Sequence, residues 1–255
     1  MSELLVSVDD GIATLTLNRP RQYNALSSAL LGALDSELDR IAGDEAVRVV
    51  IITGAGASFC SGHDLKEMRA ASQEEVQRLF ATCSAFMQKL TALPQPVIAA
   101  VNGLATAAGC QLIAQCDLAV ANEHARFAVS GVNLGLFCST PAVALSRNIS
   151  RKRAAEMLFT GEFIEAATAL DWGLVNRVAP ADRLMETTRE LANNLKAKPR
   201  ASLALGKALF YRQLEAQMRT AYDDASRTIA ANMAEGDAQE GVDAFLEKRP
   251  PNWKS

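Results

Sequence analysis

The chain has 255 residues, of which 49% are hydrophobic and 22% charged, with a formal net charge of −3. That length fits one α/β unit or a unit with a helical appendage, and it allows a sizeable core. Lys and Arg are scattered apart from Arg151-Lys152-Arg153, so there is no basic field and nucleic acid is excluded as the main partner.

Residues 4–18 alternate apolar and polar around Asp9-Asp10-Gly11, which reads as a β-hairpin. Residues 24–41 carry Leu26, Leu30, Leu34, Leu38 and Ile41 at helical spacing. Residues 47–53 are a largely apolar run ended by Gly54-Ala55-Gly56, as expected of a buried strand feeding a loop. The alternation recurs with a strand at 97–101, a helix at 108–116, a strand at 118–121 and a helix at 151–159. From about residue 182 the pattern is nearly all helical, with helices expected at 184–195, 201–233 and 241–246. The expected division is a strand-rich core over residues 1–195 and a helical region over 196–255.

Five cysteines are an odd number, with no C-x-x-C pair and no histidine cluster. Neither a disulfide framework nor a metal site is expected, and each thiol reads as a small buried residue. The start of the chain shows no basic segment followed by an apolar run, and Gln111 and Gln115 interrupt the best candidate for a membrane span. A cytoplasmic location and no membrane partner are the resulting expectations.

Gly54-Ala55-Gly56-Ala57-Ser58-Phe59 fails as a dinucleotide loop, because Phe59 stands where the third glycine is needed. A P-loop, a G-x-S-x-G elbow and H-E-x-x-H are absent. Two glycine-bearing turns remain, each after an apolar strand: Phe59-Cys60-Ser61-Gly62-His63-Asp64-Leu65 and Asn102-Gly103-Leu104-Ala105-Thr106-Ala107-Ala108-Gly109-Cys110. Small residues at strand ends let a ligand approach the backbone, and a helix starting near Ala108 offers free N–H groups. The pair suits an oxyanion hole; the alternative, which glycine positions alone favour, is two ordinary tight turns.

With Asn18-Arg19-Pro20, Asn24-Ala25-Leu26, Cys116-Asp117-Leu118 and the terminal Ala244-Phe245-Leu246-Glu247-Lys248-Arg249, these turns stand in an order that resembles the crotonase (enoyl-CoA hydratase/isomerase) family. The likeness runs from the first hairpin to the last helix. It implies an α/β fold, a crotonase-type spiral of β-β-α turns with a helical C-terminal trimerisation region, assembled as a homotrimer or homohexamer. It implies an acyl-CoA thioester as partner, with coenzyme A part of the substrate and no separate cofactor. Oxyanion-hole donors fall on the N–H groups of His63 and Ala108. Coenzyme A contacts fall on Arg21, Tyr23, Ala25, Ser61, Asp64 and Leu65, with Phe245 and Lys248 reaching a neighbouring subunit's ligand, and Gly109, Gly131 and Cys138 line the acyl pocket.

Where the resembled hydratases carry two catalytic glutamates, this chain has Gln111 and Gly131. A glutamine amide orients water but takes up no proton near neutral pH, and a glutamate at 131 would be disfavoured were Gly131 held at positive φ. His63, Asp64 and Cys138 are the candidate replacements. Against them stand a His63 whose backbone alone matters, an Asp64 that caps a helix, and an inert buried Cys138 thiol. Three readings follow: an enoyl-CoA hydratase/isomerase-type enzyme with weak hydratase activity, a decarboxylase of a malonyl-type CoA, and a non-catalytic acyl-CoA-binding subunit.

Overall fold

A computed structural model describes residues 2–254. The expected hairpin is β1 (Leu4–Asp9) and β2 (Ile12–Leu17), antiparallel and joined by Asp10 at φ 47° and Gly11 at φ 74°. Two successive left-handed residues match the twist of the flanking strands, which is why the turn falls on Asp-Gly. Then come α1 (Ser28–Ala42), β3 (Val49–Gly54), β4 (Ser58–Cys60), α2 (Leu65–Ala70) and α3 (Gln73–Ala92). β5 (Val97–Val101), β6 (Leu104–Thr106), α4 (Ala108–Gln115), β7 (Leu118–Asn122) and β8 (Arg126–Ala128) follow. α5 (Ser139–Asn148), α6 (Arg151–Thr160), β9 (Ile164–Glu165), α7 (Ala166–Trp172), β10 (Arg177–Ala179) and α8 (Leu184–Lys196) lead into α9 (Arg200–Leu214), α10 (Met218–Met233) and α11 (Gly236–Glu247).

The strands form one sheet in the order β1-β2-β3-β5-β7-β10 and a second in the order β4-β6-β8-β9. β3, β5 and β7 each enter the first sheet and their successors β4, β6 and β8 enter the second, so every turn of the chain adds one strand to each sheet. This is the expected spiral. β3 is buried along nearly its whole length: Val50 and Ile52 join the main core with α1, α3 and α4, while Val49 and Ile51 face α8. The period-two alternation of a strand thus serves two cores. α1 buries Leu30, Leu31, Leu34, Leu38 and Ile41, and each contributes about 1.5–3 kcal/mol of burial.

Three expectations differ from the structure. α1 starts at Ser28 rather than at 24, because Asn24 holds φ 56° and is wholly buried as a clamp. It accepts from Arg19 N–H and donates to the carbonyls of Ala55 and Ser58. Ser27 then caps the helix by accepting from Leu30 N–H. The helix expected over 201–233 breaks between α9 and α10, which pack on each other through Arg212 to Asp224 and Asn232 to Ser202. α3, α5 and α7 were not expected, although Ser72 and Glu75 of α3 form a reciprocal capping box.

α9 is tied to the core by a buried cluster. Lys207 Nζ donates to Leu90 O, Gln95 O and Asp117 Oδ2, and Tyr211 OH donates to Asp117 Oδ1. Burial pulls the Lys207 ammonium down from its ordinary value, opposed by Asp117. Beyond this anchor α9 and α10 bury no residue completely, and Phe210, Leu214, Met218, Tyr222 and Ile229 are all more than half exposed.

Candidate active site

The turn after β4 and the start of α4 meet backbone to backbone. Leu26 N–H donates to Gly62 O at 2.7 Å and Asp64 N–H donates to Leu26 O at 3.1 Å, which makes a parallel bridge between Leu26 and His63. In a parallel ladder the bridged residue's own N–H faces the opposite side, so the His63 N–H points away from Leu26. At α4, Gln111 N–H donates to Ala107 O at 3.1 Å. Because the peptide is trans, the Ala108 N–H points opposite to that carbonyl, out of the helix start. Neither N–H meets a protein acceptor among the described residues.

Glycines allow the approach. A Cβ on Gly62, which holds φ 95°, would lie 3.3 Å from Ala108 N and 3.0 Å from Ala107 Cβ. A Cβ on Gly109 would run into the Cys60 carbonyl, so only glycine lets α4 seat against β4. Thr106 Oγ1 donates to Ser61 O at 2.8 Å and locks the two turns together.

Three side chains mark the interior of this region. The His63 ring packs edge-on to Phe80 at 4.8 Å, and its Nε2 is buried with no partner among the described residues. Burial lowers the imidazole to about 4, against a smaller opposing effect of Glu67, so it is neutral at pH 7. Gln111 is 5% exposed and its Oε1 also lacks a partner. Cys138 is buried at the start of α5, and burial pushes its thiol up from the ordinary value, which makes it a poor nucleophile. Glu67 borders a groove of about 540 Å³ that Ser28, Arg78 and Thr82 also line, and it holds Ser28 through its N–H and hydroxyl.

Gly131 does not hold the positive φ that would disfavour glutamate. The obstacle is space: a Cβ there would lie 2.6 Å from Leu136 O and 2.7 Å from Cys138 Sγ. The Leu136 carbonyl and the Cys138 thiol together crowd the place from which a residue-131 side chain would start.

Asp64 caps α2, accepting from Lys66 and Glu67 N–H, and pairs with Arg19 at 2.8 Å. The Arg19 guanidinium, with smaller help from those N–H groups, holds its carboxyl below the usual range despite burial. Three of its hydrogen bonds thus serve structure. Tyr23 and Ser61 are neighbours, with Ser61 N–H donating to Tyr23 O at 3.0 Å. Arg21, Tyr23 and Leu65 are exposed around them and Ala25 is buried beneath. Phe245 and Lys248 lie elsewhere, on α11 and at its left-handed cap, with Phe245 82% exposed. The sequence singled out the two turns; it offered no sign of the Thr106 lock, the Ala107 conformation (φ 49°, ψ −115°) or the thiol packed against Gly131.

A spiral of β-β-α turns that fills two sheets in step is the fold the comparisons also find. The model of the enoyl-CoA hydratase/isomerase family matches residues 7–255, and the chain belongs to that family. Enoyl-CoA hydratase domain-containing protein 3 of Mus musculus, named as mitochondrial, is 49% identical over 96% of this chain and 82% of its own. A crystal structure of an enoyl-CoA hydratase from Mycobacterium smegmatis has a TM-score of 0.97 at 56% identity, covering 99% of both chains. The crystal structure of human enoyl-CoA hydratase domain-containing protein 3 gives 0.95 at 46% identity, over 98% of this chain and 100% of that one. The expected cytoplasmic location is corrected by the mitochondrial names of the rodent and human relatives. Location is set by address segments rather than by the folded core, so core residues carried no signal for it.

The His63 imidazole gives a pH signature. An unfolded chain takes up this proton near the ordinary value of 6.5 and the folded chain only near 4, so between those values the unfolded state binds more protons. Stability present above pH 6.5 is therefore lost as pH falls toward 4, by on the order of 3 kcal/mol. Denaturant titrations of wild type and His63→Phe should diverge across that window, the variant losing less. Parallel pH profiles would show that the imidazole is not held neutral.

Proposed function

We propose that the protein binds acyl-CoA thioesters and polarises the thioester carbonyl between the N–H groups of His63 and Ala108. The observation that carries this reading is the pair of partnerless N–H groups brought together by Gly62 and Gly109. An oxygen gaining negative charge is the acceptor such donors suit. Arg21, Tyr23, Ala25, Ser61, Asp64 and Leu65 form the coenzyme A side of the site, and Gly109, Gly131 and Cys138 the acyl side.

Hydration of an enoyl-CoA needs a base at the attacking water and a proton source at the α-carbon. Gln111 and Gly131 supply neither, and the buried His63 is a weak base. Losing one general acid or base costs roughly 10²–10⁴ in rate, so this enzyme is a poor hydratase with an enolate-stabilising site. The neutral His63, with Nε2 free, favours decarboxylation of a malonyl-type CoA as the second reading, since departing carbon dioxide generates the enolate without a strong base.

Wild-type protein from a host lacking its own hydratase should hydrate crotonyl-CoA at least about a hundredfold more slowly than a relative with both carboxylates. Gln111→Glu should raise that rate, whereas Gly131→Glu should not, because its Cβ meets Leu136 O and Cys138 Sγ. Brisk hydration by the wild type would overturn the reading.

Residues 196–255 are the assembly region in this reading, and the exposed Phe210, Leu214, Met218 and Tyr222 of α9 and α10 are its contact surface. Phe245 and Lys248 then reach a neighbour's coenzyme A. Light scattering at micromolar concentration should give a trimer or hexamer; a monomer would contradict this.

A further inference from the structure

We infer that Ala107 is a specificity-determining residue whose methyl group admits thioesters unbranched at the α-carbon and rejects those branched there. This rests on the acyl-CoA reading of the site.

Ala107 is one of five non-glycine residues at positive φ among the described residues, and its φ 49°, ψ −115° is not the ordinary left-handed well. An L-residue is strained there, whereas glycine adopts such angles freely. The conformation is enforced from several sides. Ala107 N–H donates to Ala128 O at 2.9 Å, Ala107 O accepts from Gln111 N–H at 3.1 Å, and Thr106 Oγ1 holds Ser61 O at 2.8 Å. The ψ angle of Ala107 sets the plane of the peptide that carries the Ala108 N–H, so the strain and the aim of the donor are one feature.

Glycine would provide that aim without strain. What alanine adds is a methyl, and the methyl sits beside the donor: Ala107 Cβ lies 3.0 Å from where a Gly62 Cβ would be. Gly62 precedes His63 and Ala107 precedes Ala108, so this methyl lies where the two donor-bearing segments meet. Ala107 is half-buried, whereas Ala108 is 1% exposed, so of the two residues at the start of α4 it is Ala107 that keeps accessible surface. A carbonyl oxygen seated between the His63 and Ala108 N–H groups puts its α-carbon two bonds away. A straight chain leaves that gap in one direction; an α-methyl adds a second substituent where the wall stands.

Calorimetric titration of wild type and Ala107→Gly with butyryl-CoA, isobutyryl-CoA, coenzyme A, butyrate and isobutyrate tests this. A methyl group in a tight pocket changes affinity by about 10–200-fold. Wild type should therefore bind butyryl-CoA at least about tenfold more tightly than isobutyryl-CoA. In Ala107→Gly that ratio should shrink several-fold, by gain of isobutyryl-CoA affinity, with coenzyme A affinity unchanged. An equal ratio in both proteins, or no discrimination by the wild type, overturns the inference while leaving the acyl-CoA reading intact. Wild type that binds neither thioester more tightly than free butyrate and isobutyrate overturns both.

Discussion

The site depends on one close approach, the seating of the α4 start against the end of β4. Cys60 O lies where any side chain at residue 109 would begin, and the space beside Gly62 is filled by Ala107 and Ala108. Packing this tight replaces side chains with backbone, and backbone N–H groups then become the chemical surface. The bridge to Leu26 uses the inner hydrogen-bonding edge of the β4 turn and leaves the His63 N–H outward. The α4 helix uses the Ala107 carbonyl and leaves the Ala108 N–H outward. Two donors with no protein acceptor among the described residues are what the proposed site offers an oxygen gaining negative charge.

The rest of the spiral holds those two segments in place. Parallel pairing of β4 with β6 and of β6 with β8 fixes the register of both turns. Asn24 ties the turn at 19–24 to the β3–β4 loop, which keeps Tyr23 and Ser61 side by side. Lys207 and Asp117 anchor the C-terminal helices beside β5 and β7. Buried ion pairs of this kind fix geometry more than they add stability, and here the geometry fixed is that of α9 against the core.

Much of the fold was legible in the sequence, because apolar periodicity reports directly on burial. The hairpin, β3, β5, α4, β7 and α8 fall within a few residues of where the pattern puts them. The start of α1 was not legible, since Leu26 keeps the helical spacing while Asn24 spends its side chain on three backbone partners across a loop. The break between α9 and α10 carries neither proline nor glycine, and the apolar pattern runs through it. The site was legible only as two glycine turns. Their meeting, the neutral His63, and the Cys138 sulfur crowded against Gly131 are consequences of tertiary packing that one-dimensional spacing does not encode.

The central claim is that the two N–H groups polarise a thioester carbonyl, and the carbonyl itself reports this. The ¹³C resonance of crotonyl-CoA labelled at the thioester carbon shifts downfield when that oxygen accepts strong hydrogen bonds. Titration into wild-type protein should move the bound signal downfield, and titration into a folded Ala108→Pro variant, which lacks one donor, should move it less. A bound signal at the position of free crotonyl-CoA would contradict the account.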